Sequence, residues 1–222
     1  RERIAGASNA VRGITAGGAD PSNSNIIDYY TMASTGNSID FGDLTAAQKN
    51  HASSSSPIRA IFGAGDTPSA AKNIDYVAIA TLGNAADFGD LTQNNIRPSA
   101  SASSTRLLFM GGHAPDRAGS TTTVEFITMA TTGNAGDFGD LTIAKGVGSS
   151  TGSGTRAIHA GGGVPGGSPY VTDTIDYRAI ATTGTFADFG NLTAADHYMS
   201  QGTSSNAHGG IPEGEPRGLP LG

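Results

Sequence analysis

The stretch NAADFGDLT, residues 84–92, decides the fold, because the chain carries it four times with small changes. The other copies are NSIDFGDLT at 37–45, NAGDFGDLT at 134–142 and TFADFGNLT at 185–193. Successive copies are separated by 47, 50 and 51 residues. Internal similarity at a period of about 50 residues is the signature of a repeat architecture.

Three columns of residues recur with the repeat. An Arg opens an apolar segment, an acid followed by an aromatic lies in the next segment, and a Phe follows the Asp of the DFG triplet. These framework residues are Arg12, Arg59, Arg106 and Arg156; Asp28, Asp75, Glu125 and Asp176; and Phe41, Phe88, Phe138 and Phe189. Most length variation falls in one stretch after the Arg-led segment, which predicts a loop there and a constant framework around it.

Each copy has the pattern of four short strands. A run of Ser, Ala and Gly precedes the Arg-led strand, and the acid-aromatic strand and the DFGDLT strand follow, divided by Gly-containing turn signals. This pattern predicts an all-β fold, a β-propeller with four blades of four antiparallel strands. The predicted units are 3–45, 50–92, 97–142 and 147–193, and 197–209 resemble the opening strand of a fifth.

The small-residue strand favours a propeller over the alternatives. Propeller strands crowd at the central axis, where Ser, Ala and Gly permit close approach, whereas a sandwich strand would carry large core residues at alternate positions. A parallel β-helix has shorter rungs. We therefore expect four blades around a narrow axis. The surplus strand could cap the ring, replace the N-terminal strand or insert into a neighbouring subunit, and the Gly/Pro-rich tail 210–222 is predicted to be extended.

The composition and net charge argue against several classes of function. The net charge is −6 with no basic cluster, which argues against nucleic-acid binding. The chain has no Cys, hence no disulfide or thiolate metal site, and no apolar run long enough to insert into a membrane. No cofactor is indicated.

The order of Arg, apolar strand, Gly pair, loop and aromatic strand resembles a degenerate kelch repeat. The Gly pairs are at 17–18, 111–112 and 161–163, with GAG in the second copy, and tyrosines occupy the kelch tyrosine position in three copies. The DFG phenylalanines fall near the kelch tryptophan, although the chain has no Trp. The sequence of the repeat also resembles repeats in structural proteins of marine tailed phages, and this resemblance implies a virion or extracellular location.

Motifs with chemical associations are better explained by structure. A fourfold Asp-Phe-Gly without other kinase motifs predicts a packed Phe beside a turn capped by Asp, with calcium at Asp40 and Asp43 as an alternative. Arg59 and Asp75 are predicted to form an ion pair. GSSTG at 148–152 and GGGVPG at 161–166 lack the helix that their motifs require. His159 takes the column of two phenylalanines and is predicted to be a core residue.

Residues outside the repeat are the candidates for binding. They are predicted to lie in the variable loops, which should cluster on one face of the ring and contact a partner. They are Asp66, Lys72, His113, Asp116, Arg117, Tyr170 and Asp173.

Three functions fit the sequence. The first is a non-enzymatic propeller of a virion or extracellular appendage, acting in assembly, adhesion or receptor contact with other structural proteins or copies of itself. The second is a carbohydrate-binding, lectin-like propeller that contacts a surface glycan. The third is a glycosidase or lyase, which would need two unique carboxylates in a cleft, whereas nearly every framework acid here is repeated.

Overall fold

The structure, a computed structural model, describes residues 1–67, 71–113, 119–164, 166 and 170–196. In these residues the chain forms four four-stranded antiparallel sheets, one for each repeat, with strand order following the chain. We call each sheet a blade and number the blades 1 to 4. No helix in this part of the chain is long and apolar enough to span a membrane. The predicted all-β fold of four propeller blades is confirmed.

The strands are short and follow the predicted segments. Blades 1 and 2 contain β1 (Ala5–Ser8), β2 (Arg12–Ala16), β3 (Ile26–Thr31), β4 (Ile39–Asp43), β5 (Ala52–Ser55), β6 (Arg59–Gly63), β7 (Ala71–Ala78) and β8 (Ala86–Asn95). Blades 3 and 4 contain β9 (Ser99–Ala102), β10 (Arg106–Met110), β11 (Thr123–Thr128), β12 (Gly136–Asp140), β13 (Ser149–Gly152), β14 (Arg156–Ala160), β15 (Thr172–Ala179) and β16 (Ala187–Asp196). Two of the fourth strands, β8 and β16, extend past the predicted unit ends at 92 and 193.

The small-residue strands β1, β5, β9 and β13 are the innermost strands, as predicted, and pack against one another in sequence. Serine hydroxyls link them: Ser53 Oγ donates to the Gly6 carbonyl at 2.6 Å and Ser55 Oγ to the Ser8 carbonyl at 2.7 Å. The bonding partner moves from Gly6 to Ser8 as the serine moves from Ser53 to Ser55, so the inner strands run parallel. All blades therefore share one orientation. The loop between the second and third strands of each blade lies at the same end of the array, here called the loop end.

A backbone ladder joins the blades where the inner strands begin. The Asn50 amide donates to the Arg3 carbonyl at 3.3 Å, Arg97 to Asn50 at 2.9 Å and Val147 to Arg97 at 3.3 Å. All four residues have φ between 56° and 59°. Packing runs from β1 to β5, β9 and β13, but β1 and β13 make no comparable contact among the described residues. The described part of the four blades thus forms an open array, and the predicted surplus strand, 197–209, lies outside the described residues.

The hydrophobic core lies between the blades. Three clusters of buried side chains fill the junctions between blades 1 and 2, 2 and 3, and 3 and 4. We call the side of a blade that contacts the next blade its front face and the opposite side its back face. Each junction joins the front face of one blade to the back face of the next, so the repeat encodes its own interface.

Candidate functional site

The loop end carries the residues predicted to bind a partner. Asp66 and His113 occupy one column there, because backbone bridges link Asp66 to Lys49 and His113 to Ile96. Asp66 is buried, and His113 Nδ1 lies 3.2 Å from Ser120 Oγ. Both residues belong to the framework that ties each loop to the connection before it.

Of the other predicted binding residues, Lys72 and Tyr170 are exposed and Asp173 is half-buried. Lys72 and Asp173 lie near the beginnings of strands β7 and β15 instead of in loops, and Lys72 Nζ is 3.1 Å from Asp90 Oδ2. Tyr170 lies in the loop of blade 4 with 70% of its surface exposed. A binding role for these residues stays a prediction. Two further predicted residues lie outside the described residues: Asp116 and Arg117.

The framework acids bond to the preceding blade. Asp75 of blade 2 accepts the Thr45 hydroxyl at 2.7 Å and the Thr45 amide at 2.9 Å, and Thr45 belongs to blade 1. Burial raises the pKa of Asp75, and the Thr45 bonds partly oppose that rise. The same threonine column serves the other two junctions, with Thr92 bonded to Glu125 and Thr142 to Asp176.

The framework arginines do not pair with these acids. The Arg59 guanidinium lies over the Tyr76 ring, 4.9 Å from its centroid, and donates to the Met129 carbonyl of blade 3 at 2.8 Å. The predicted Arg59–Asp75 ion pair is wrong. Asp75 lies opposite Phe62, three residues along β6 from Arg59, which places the two about 10 Å apart along the strand. Two other arginines repeat this contact: Arg12 donates to Ile79 and Arg106 to Ile180.

The DFG phenylalanines fill the junctions. Phe41, Phe88 and Phe138 are at most 3% exposed, and each packs on the blade that follows it. Each also meets the framework aromatic of its own blade edge to face, as Phe88 does with Tyr76 at 5.7 Å. Phe189, in the same column of blade 4, is 51% exposed because the described residues place no blade against it.

The Asp of each DFG motif caps a backbone amide, as predicted, but the motif lies within a strand, at a β-bulge, and not at a turn. Asp40 Oδ1 accepts the Gly42 amide at 3.2 Å, and the equivalent aspartates of the other blades make the same bond. The backbone on either side bonds to the next blade: the Gly83 amide donates to the Phe41 carbonyl at 2.9 Å and the Ala85 amide to Asp43 at 2.7 Å. Within the described residues, no group of three or more His, Cys, Asp or Glu side chains could hold a metal ion.

The junction of blades 3 and 4 contains a buried ion pair. Lys145 Nζ lies 2.9 Å from Asp176 Oδ2 and donates to the Thr174 carbonyl at 3.0 Å, and both charged side chains are fully buried. Burial lowers the pKa of Lys145, while Asp176 acts in the opposite direction. Gln48 and Asn95 occupy the position of Lys145 at the other two junctions, each seven residues after the DFG phenylalanine.

His159 lies beside this ion pair in the core, as its sequence column predicted. It is fully buried at the position of Phe62 and Phe109. Burial and then the charge of Lys145 lower its pKa to about 3. A second buried histidine, His51, has its pKa lowered to about 4 by burial.

Two columns with structural roles were missed at the sequence level. One is the threonine that ends the nine-residue repeat, whose invariance in the four copies was a usable signal. The other is the column of Gln48, Asn95 and Lys145, which varies in chemistry and therefore gives no signal without the fold.

Comparison with known proteins supports the architecture. A solved structure described as "Structure of YjhT" is similar to this chain with a TM-score of 0.72 and 12% sequence identity, covering 89% of this chain and 73% of that chain. At this identity the similarity shows the fold alone. No protein-family model matches the chain, and no curated protein matches its sequence.

Proposed function

We propose that the protein is a non-enzymatic structural and binding propeller of a virion or an extracellular appendage, acting in assembly, adhesion or receptor contact through its loop end. One observation carries the proposal. The framework groups with chemical potential, such as Asp75 and Arg59, bond to neighbouring blades at repeated positions. Their recurrence at three junctions fits a scaffold, because an active site is built from a unique set of residues.

The resemblance of the repeat to structural proteins of marine tailed phages and to kelch repeats supports this assignment. A rigid array that presents variable loops at one end is a common design for contact surfaces. The partners would be other structural proteins or copies of the chain.

Immunogold electron microscopy of particles and appendages purified from the producing culture tests the proposal. Antibodies against the protein should label the assemblies at one repeated position, with pre-immune serum as the control. Quantitative blotting of the particle and free fractions measures the partition. Recovery of all the protein in the free fraction, with unlabelled particles, would contradict the proposal.

A lectin-like propeller is the second candidate, and exposed Tyr170 favours it. An aromatic ring at 70% exposure on the loop end offers a face on which a sugar could stack. A glycan array of the protein and its Tyr170→Ala variant tests this function. Binding by the parent that is lost in the variant is expected. An array without hits for the parent would exclude the glycans that it displays.

A further inference from the structure

We propose that the front face of blade 4 binds the back face of blade 1 of a second copy of this chain, in a contact that reproduces the internal blade junctions. This inference goes beyond the function proposed for the loop end. It rests on the two outer faces of the open array, which carry the two halves of one interface.

Among the described residues, nothing covers the front face of blade 4 as the next blade covers each of the other three front faces. Phe189 is 51% exposed, although its three equivalents are buried. Ile158 and Ile175 are half-buried, whereas the matching residues of blades 1 to 3 are buried. This face therefore presents an apolar patch of the composition found at the internal junctions.

The back face of blade 1 is likewise exposed, because no blade precedes it among the described residues. Met32 is 56% exposed, whereas its equivalents Ile79, Met129 and Ile180 are at most 2% exposed. Tyr30 is exposed as well, at the position where blade 2 has the buried Val77. The apolar half-interface of this face thus matches the one on blade 4.

The polar groups of the two faces are complementary. Thr193 continues the threonine column that bonds to the acid of the next blade, and Asp28 begins the acid column. The Asp28 side chain is 26% exposed and pairs with Arg1, whereas Asp75 is fully buried under Thr45.

Arg1 does not block the contact. At the junction of blades 3 and 4, Asp176 accepts both a threonine hydroxyl, from Thr142, and a cation, Lys145. Asp28 can accept Thr193 and Arg1 in the same way.

The backbone of the blade 4 front face is also open. A Cβ built on Gly42 would overlap the carbonyl of Gly83 in the next blade, but one built on Gly190, the corresponding residue of blade 4, would meet no atom within 4 Å. A blade 1 turn of a second copy fits against Gly190 as the Gly83 turn fits against Gly42.

The contact is heterologous, because one copy contributes its blade 4 and the other its blade 1. Repetition gives a closed ring of copies or a filament, according to the rotation between copies. Occupancy of the blade 4 face by residues 197–222, and closure of one chain on itself, are the competing outcomes.

Cysteine cross-linking distinguishes these outcomes, and the chain has no native Cys to interfere. A Thr193→Cys chain mixed with an Asp28→Cys chain should give an oxidised dimer on a non-reducing gel, and neither chain alone should. One chain with both substitutions should give a ladder of oligomers. Thr45→Cys with Asp75→Cys in one chain is the matched internal control and should cross-link within the monomer.

An oxidised monomer of the Thr193→Cys, Asp28→Cys chain would overturn the proposal in favour of self-closure. Failure of the mixed chains to cross-link, when the internal control does, would overturn it in favour of another occupant.

A second experiment uses two exposed residues, Phe189 and Met32, whose substitution is expected to spare folding because about half of each side chain already faces solvent. Phe189→Glu removes one face and Met32→Glu the other, so in sedimentation velocity each variant should lose self-association by about tenfold or more. An equimolar mixture should form dimers and nothing larger, since each variant retains the face that the other lacks. A monomeric parent chain at high concentration, or variants that associate like the parent, would overturn the proposal.

Discussion

The hydroxyl of Thr45 in blade 1 lies 2.7 Å from a carboxylate oxygen of Asp75 in blade 2. The Thr142 hydroxyl makes the same bond to Asp176, whereas Thr92 bonds to Glu125 through its backbone amide. A hydrogen bond to a charged group contributes about 1.5–3 kcal/mol. Thr45→Val removes the hydroxyl at similar volume and retains the amide bond. We expect the free energy of unfolding to fall by about 1–2 kcal/mol in urea titrations.

The matched control is Thr193→Val, the same change in the column of blade 4. In dilute protein, where copies are separate, it should leave the urea midpoint within about 0.5 kcal/mol of the parent. Equal losses in the two variants would show that the hydroxyl acts through its own blade and not through the junction.

The raised pKa of Asp75 makes stability depend on pH. The folded protein holds the proton at pH values where the unfolded chain, with a pKa of 3.8, has released it. Stability therefore falls as the pH rises from 3.8 through the folded-state pKa. Asp75→Asn removes this dependence, because the amide oxygen still accepts the Thr45 amide and the amide nitrogen donates to the hydroxyl.

We expect the stability of Asp75→Asn relative to the parent to increase with pH across this window and to level off above it. Denaturant titrations at half-unit pH steps measure the difference. Below pH 3.8 the carboxyl is protonated in both states, so the difference there is an internal baseline. A difference that stays constant with pH would contradict the assignment.

Buried His159 predicts acid sensitivity of the opposite sign. The unfolded chain binds a proton below pH 6.5, whereas the folded protein resists protonation until about pH 3. Stability is therefore lost as the pH falls through this window, by about 1.4 kcal/mol per pH unit. His159→Phe installs the residue found at Phe62 and Phe109 and should remove this loss.

The variant and parent should differ least at pH 7.5, where only packing contributes, and increasingly as the pH approaches 4. Thermal unfolding followed by circular dichroism gives the comparison. An unchanged difference between pH 7.5 and 4 would place His159 outside the acid transition.

Features within one repeat could be predicted from the sequence, whereas contacts between blades could not. Repeat spacing located the strands, the loops and the inner position of the Ser-rich strands, because these are properties of one unit. The partner of Arg59 was missed because Met129 belongs to the next blade, and chain spacing indicates only neighbours within a blade. The exposure of Phe189 was missed because its sequence matches three buried copies.

Substitution of Lys145 in the Lys145–Asp176 ion pair should lower the free energy of unfolding much less when the new residue is polar than when it is apolar. Lys145→Met leaves Asp176 buried without a cation, which costs about 3–5 kcal/mol. Lys145→Gln installs the residue type that Gln48 provides at this position between blades 1 and 2, and its amide nitrogen can donate to Asp176, so we expect a loss less than half as large. Urea titrations at pH 7 measure both. A larger loss for Lys145→Gln than for Lys145→Met would contradict this account.

Gly42 offers the sharpest test of the junction geometry. Its φ of +144° disfavours any side chain, and a Cβ there would also overlap the Gly83 carbonyl of blade 2. Gly190 has a similar φ of +136° but open space around it. Gly190→Ala therefore measures backbone strain alone, about 1–3 kcal/mol, and Gly42→Ala adds the steric conflict between blades. We expect Gly42→Ala to lower the free energy of unfolding by at least about 2 kcal/mol more than Gly190→Ala, on the scale of overpacking costs.

Thermal and urea unfolding of the two variants in dilute protein provide the comparison, with Gly89→Ala as a repeat at the next junction. Equal losses at Gly42 and Gly190 would mean that blade 2 does not pack against this strand as described.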